Sequence, residues 1–98
     1  MADFILFMHD DGQDKGGAEE WDPYLEKLRS AGVMRGGSAI GSGLCVRREG
    51  PAPKITGHIA GFVRVEARDL DHAKQLLIGN PVFEAGGTIE IRELPRTD

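Results

Sequence analysis

The spacing of apolar residues changes along the chain, and glycines and prolines punctuate the changes. Phe4-Ile5-Leu6-Phe7-Met8 is an unbroken apolar run with aromatic enrichment, which predicts a strand buried on both faces. A polar, glycine-bearing loop is expected from Asp10 to Gly17. Between Ala18 and Ala31, Trp21, Tyr24, Leu25 and Leu28 recur at helical spacing, and Gly32 terminates the pattern. Pro23 belongs in a first turn, so Asp22 is the expected cap; a start near Ala18 would require a kink. Val33 to Glu49 stays extended through Gly36-Gly37, Gly41 and Gly43, predicting one long bulged strand or two short ones. Gly50-Pro51-Ala52-Pro53 is a turn.

The clearest alternation follows. From His58 to Ala67, Ile59, Gly61, Val63, Val65 and Ala67 point one way, and His58, Ala60, Phe62, Arg64 and Glu66 the other. Asp69 caps a second helix bearing Leu70, Ala73, Leu76 and Leu77; Gly79 closes it and Asn80-Pro81 prevents its continuation. Gly86-Gly87 leads into a last strand, Thr88 to Leu94, with Ile89 and Ile91 on one face. The order β-α-β-β-α-β, with right-handed crossovers, predicts a ferredoxin-like α+β fold. Its antiparallel sheet has strand order 4-1-3-2 and both helices on one face. The opposite face carries Phe62, Ala60 and half of the first strand, so a second copy or a ligand is expected to cover it.

Composition narrows the partners. Ninety-eight residues make one domain over 1–98, and folding a 10.6 kDa chain buries roughly 64% of its extended surface. That margin is small enough to favour self-association as a homodimer. A net charge of −4 argues against nucleic acid, whose phosphates need clustered cations. The densest basic spot, Arg47-Arg48 with Lys54 nearby, is expected to be a solvated strand end. The single cysteine, Cys45, excludes an internal disulfide, and its Leu44-Cys45-Val46 setting predicts a buried, inert thiol. The Phe4–Met8 run is too short to span a membrane and lacks a signal peptide's flanks, so a cytoplasmic location is expected.

Several pieces in order resemble the YCII-related, or DGPF-type, domain family. They are the opening strand, Trp21 with Tyr24, Leu25, Leu28 and Ala31-Gly32, then Gly36-Gly37-Ser38, then Gly61 to Asp71. The most specific is Asn80-Pro81 followed by Gly86 to Leu94. The resemblance implies a ferredoxin-like domain that forms a dimeric α+β barrel. One branch of the family contains a dehydrochlorinase of a chlorinated aromatic diol, with a His in the first helix and an Asp before the later Pro. Trp21 and Asn80 stand at those positions here, so that chemistry does not carry over. The Asp-Gly-Pro-Phe motif of the other branch is replaced by Ile55-Thr56-Gly57-His58.

Candidate chemistry gathers at one end of the expected sheet. His9-Asp10-Asp11 joins a base that titrates near neutrality to two carboxylates. Antiparallel pairing of the first and third strands sets His58 beside His9, and the last strand brings Thr88 and Glu90 to the same end. His9, Asp10 and His58 are the candidate catalytic residues. Trp21, Phe62, Arg64, Glu90 and Arg92 are candidate ligand-binding residues. Arg64, Glu66, Glu90 and Arg92 would share the open face, as ligand contacts or as salt bridges in a dimer. No local motif of the His-x-x-x-His kind supports a metal, and none is expected. The glycines from Gly36 to Gly43 fit neither nucleotide-binding fingerprint, so no cofactor is expected. His72 is a surface residue near a helix cap. Two functions remain open: a module that binds a small molecule in a cavity at the sheet and dimer face, or a small lyase, isomerase or dehydrochlorinase using a His general base on an aromatic or polar metabolite.

Overall fold

A computed structural model describes residues 1–12 and 18–96. Part of the loop expected over 10–17, and the end of the polar tail, lie outside the described residues. The elements are β1 (Ala2–His9), α1 (Ala18–Ser30), β2 (Met34–Ala39), β3 (Ile59–Ala67), α2 (Leu70–Gln75), α3 (Pro81–Glu84) and β4 (Ile89–Leu94). The sheet order is β2-β3-β1-β4, and β3 pairs antiparallel with both neighbours, as β1 does with β3 and β4. This is the four-stranded α+β arrangement that the element order predicts.

One sheet face is packed under the helices. Phe4, Leu6 and Met8 of β1 and Val63, Val65 and Ala67 of β3 are buried with Tyr24, Leu28, Val33, Ala73 and Leu77. Alternation sends Ile5 and Phe7 to the other face, where they are only half-buried. The expectation that β1 is buried on both faces therefore fails within one chain, because the helices cover only one side of it.

α1 runs through Pro23 from Ala18, although proline removes one helical N–H donor. Gly32, at φ +74°, closes it: Val33 N–H donates to Leu28 O and Gly32 N–H to Arg29 O, a Schellman ending that requires a left-handed residue. Two side chains of α1 then satisfy carbonyls at and beyond the end of α2. Tyr24 Oη donates to Leu76 O at 2.8 Å, and Lys27 Nζ donates to Ile78 O. Asp69 caps α2 by accepting from His72 N–H at 2.8 Å. His72 is half-buried rather than a plain surface residue, its Nδ1 accepting from Arg68 N–H.

Three further expectations are corrected. α2 ends at Gln75, before the Leu76, Leu77 and Gly79 expected to complete it, and Asn80-Pro81 opens an extra short helix, α3, with Pro81 at its start and Asn80 as cap. The strand expected over 33–49 is confined to Met34–Ala39. Past Ile40 N–H, which donates to Ala60 O, no backbone–backbone hydrogen bond joins residues 41–57 to any described residue. Gly41 and Gly43 weaken the extended run, and Pro51 and Pro53 lack donors for a return strand. Cys45 is half-exposed on this arm, its Sγ 3.6 Å from Lys54 O, and not the buried thiol expected.

Candidate functional site

The cavity beneath α1 begins with small residues. Met34 pairs with Val65 and Gly37 with Val63, so the β2–β3 register shifts by a bulge between them. At Gly37 a Cβ would sit 2.6 Å from Phe62 O, so only glycine permits that approach. Gly37, Ala39 and Gly61 leave the floor of the sheet low here. Across from them, α1 presents Trp21, Leu25 and Arg29, and Val82 of α3 closes a side. The result is a cavity of about 420 Å³ with mainly apolar walls. That volume lies within the range of small-molecule sites. Trp21 is held edge-to-face against Tyr24, ring centroids 5.9 Å apart.

His9, Asp10 and Gly12 border the same cavity where β1 ends. A register shift between Met8 and His9 pairs His9 with Ile59, and Asp10 N–H donates to His58 O at 2.7 Å. The His9 and His58 rings meet edge-to-face, centroids 4.7 Å apart. His9 Nε2–H donates to Glu90 Oε1 at 2.9 Å, which ties the imidazole to the last strand. The bond from His9, and after it the bond from Arg92, hold the Glu90 carboxyl below its ordinary value. Beside them Asp11 accepts from Thr88 Oγ1 at 2.7 Å and from Thr88 N–H at 2.8 Å. Those two bonds pull the Asp11 carboxyl down as well. Among the described residues, no three His, Cys, Asp or Glu side chains are grouped as metal ligands.

The candidate residues thus fall into two places. His9, Asp10, His58 and Glu90 converge at the sheet end. Trp21 lines the cavity on the helix side, and Phe62 borders it while pairing with Phe7 and Ser38. Arg64 and Arg92 stand level with Ile5 in the sheet, away from Trp21. Glu66 is engaged at the far end of the same sheet, bonded to Arg35 at 3.1 Å and to Arg96 at 2.9 Å; Arg96 also grips Asp3. Sequence patterning misses Arg29, Met34, Ala39 and Val82 as cavity residues, because only the packing of α1 and α3 over β2 and β3 brings them together.

Asn80 is the fully buried polar residue among those described. Its Oδ1 accepts from Val82 N–H at 3.0 Å and Phe83 N–H at 3.1 Å, while Nδ2 has no partner among the described residues. Burial pushes the neighbouring Tyr24 phenol up.

A four-stranded antiparallel sheet covered on one face by helices, with a small-molecule-sized cavity beneath the first of them, defines a compact α+β class. The family model of the YCII-related domain matches residues 6–97, and the chain belongs to that family. A search of curated proteins finds no match.

Proposed function

We propose that the protein binds a small, mainly apolar or aromatic organic molecule in the cavity beneath α1, and that it does so as a cytoplasmic homodimer. The carrying observation is the cavity itself: apolar walls of Trp21, Leu25, Met34 and Val82, with His9, Asp10 and Arg29 supplying the few polar groups. An apolar body with sparse polar anchors is the usual make-up of a ligand site. The half-buried Ile5, Phe7 and Phe62 on the open face support a sheet-to-sheet dimer, with Arg64 and Arg92 around them.

The test is NMR shift mapping with 2-naphthol as probe. Shifts should cluster at the Trp21 indole N–H and at the backbone amides of Gly37, Ser38 and Gly61. Shifts confined to other surfaces would overturn the proposal.

A second reading rests on the bond from His9 to Glu90. A carboxylate-oriented imidazole at a cavity mouth suits a general base for proton abstraction. Faster deuterium uptake at the α-carbon of acetophenone with the wild type than with His9→Gln would favour catalysis. Equal rates would leave the protein a binder.

A further inference from the structure

Residues 40–57 leave the sheet as an arm that the rest of the chain does not cover. Leu44 is 77% and Val46 80% exposed, and Ile40 and Ile55 are also open to solvent. Leu44 and Val46 flank the half-buried Cys45 and are the most exposed of these apolar side chains. Internal ties of the arm are few: Cys45 Sγ reaches Lys54 O, and Arg47 donates to Pro51 O at 3.4 Å. Its backbone polar groups between 41 and 57 make no backbone hydrogen bond among the described residues. A stretch this long without its own secondary structure is uncommon in a compact domain unless it has a task.

The size of the molecule carries the same message. A compact chain of this length has a radius of gyration of about 12.6 Å; the observed value is 14.8 Å. A monomer of 10.6 kDa exposes about 5,500 Å²; this chain exposes 6669 Å². The excess is on the order of 1,200 Å² per chain, and two such excesses reach the range of stable dimer interfaces.

Charge selects the partner. The arm holds Arg47, Arg48 and Lys54 against Glu49, whereas the remainder holds nine basic and fifteen acidic residues. A basic, apolar arm is therefore complementary to the acidic body of the same protein.

We propose that the arm over residues 40–57 docks on a second copy of this chain, with Leu44 and Val46 as its apolar anchors and Arg47 and Arg48 as its electrostatic guides. The inference rests on the homodimer proposed above and adds to it a contact that the sheet face alone does not provide.

Sedimentation of the full chain across a wide dilution range tests it, with Leu44→Asp/Val46→Asp and Arg47→Glu/Arg48→Glu as variants. Both pairs are exposed, so circular dichroism and melting of the diluted protein should match the wild type. The wild type should run at twice its chain mass. The aspartate variant should dissociate at concentrations at least tenfold higher. The charge-reversed variant should dissociate more readily as well, by a margin that shrinks as salt is added. A wild-type monomer at all concentrations would overturn the homodimer and the arm together. A dimer unchanged in both arm variants but broken by Phe7→Asp on the open face would overturn the arm alone. If the aspartate variant misfolds, the charge-reversed variant decides: unchanged dissociation in it overturns the inference.

Discussion

Replacing Asn80 by alanine removes the acceptor that holds the start of α3. Oδ1 serves two backbone donors, Val82 N–H and Phe83 N–H, at a position with no solvent exposure. Loss of an N-cap costs about 1 kcal/mol. The expected loss is about 1 kcal/mol, or a fall in Tm of roughly 4–8 °C for a domain this small. Urea unfolding followed by fluorescence is a clean assay, because Trp21 is the single tryptophan and packs on Tyr24 within the affected corner. Asn80→Ser restores a short capping oxygen and should recover about half the loss. A loss below about 0.5 kcal/mol in the alanine variant, within the range of an inert surface change, would refute the reasoning. Equal losses in the serine and alanine variants would show that volume, not capping, sets the cost.

Two further outcomes follow from the geometry. Asp11 and Glu90 have folded pKa values below their ordinary 3.8 and 4.5, through Thr88 and His9 respectively. Their contribution is thus complete above those ordinary values and is lost as pH falls through the lowered ones. Melting temperature should drop on that acid limb in the wild type and drop less steeply in Asp11→Asn; parallel limbs would rule out the Asp11–Thr88 bonds as the cause. Gly37→Ala forces a Cβ to 2.6 Å from Phe62 O and should cost about 1–3 kcal/mol, whereas Gly57→Ala, with open space around it, should be nearly neutral. Equal chemical-denaturation midpoints for the two variants would show that the β2–β3 approach is looser than described.

The parts of this fold legible in the sequence are those set by local rules. Alternation from Ile59 to Ala67 matches the burial of Gly61, Val63, Val65 and Ala67, because one face of β3 meets the helices. Gly32 and Gly79 mark chain reversals since both adopt positive φ. Strand order alone brings His9 beside His58, a consequence of antiparallel pairing that needs no side-chain detail. The four residues of α3 are too few to show helical periodicity, and Asn80-Pro81 reads in sequence as a stop rather than as the opening of a helix. The first half of the arm, up to Glu49, carries a strand-like pattern because such residues look alike in sequence whether or not a neighbouring strand exists. The cavity was hidden for a different reason: its depth comes from Gly37, Ala39 and Gly61 lying opposite Trp21 and Arg29, far apart in sequence.

Filling that depth tests the proposed function most directly. Ala39 is an exposed residue of the cavity wall, so Ala39→Phe should leave folding intact while occupying the space a ligand would use. A compact aromatic probe gaining roughly 0.3–0.5 kcal/mol per non-hydrogen atom binds with a Kd on the order of 1 mM, within reach of NMR titration. With 2-naphthol, the Trp21 indole resonance of the wild type should shift in a saturable manner. In Ala39→Phe the apparent Kd should rise at least tenfold, with an otherwise unchanged spectrum. Saturable binding of equal strength in both proteins would contradict a ligand site beneath α1.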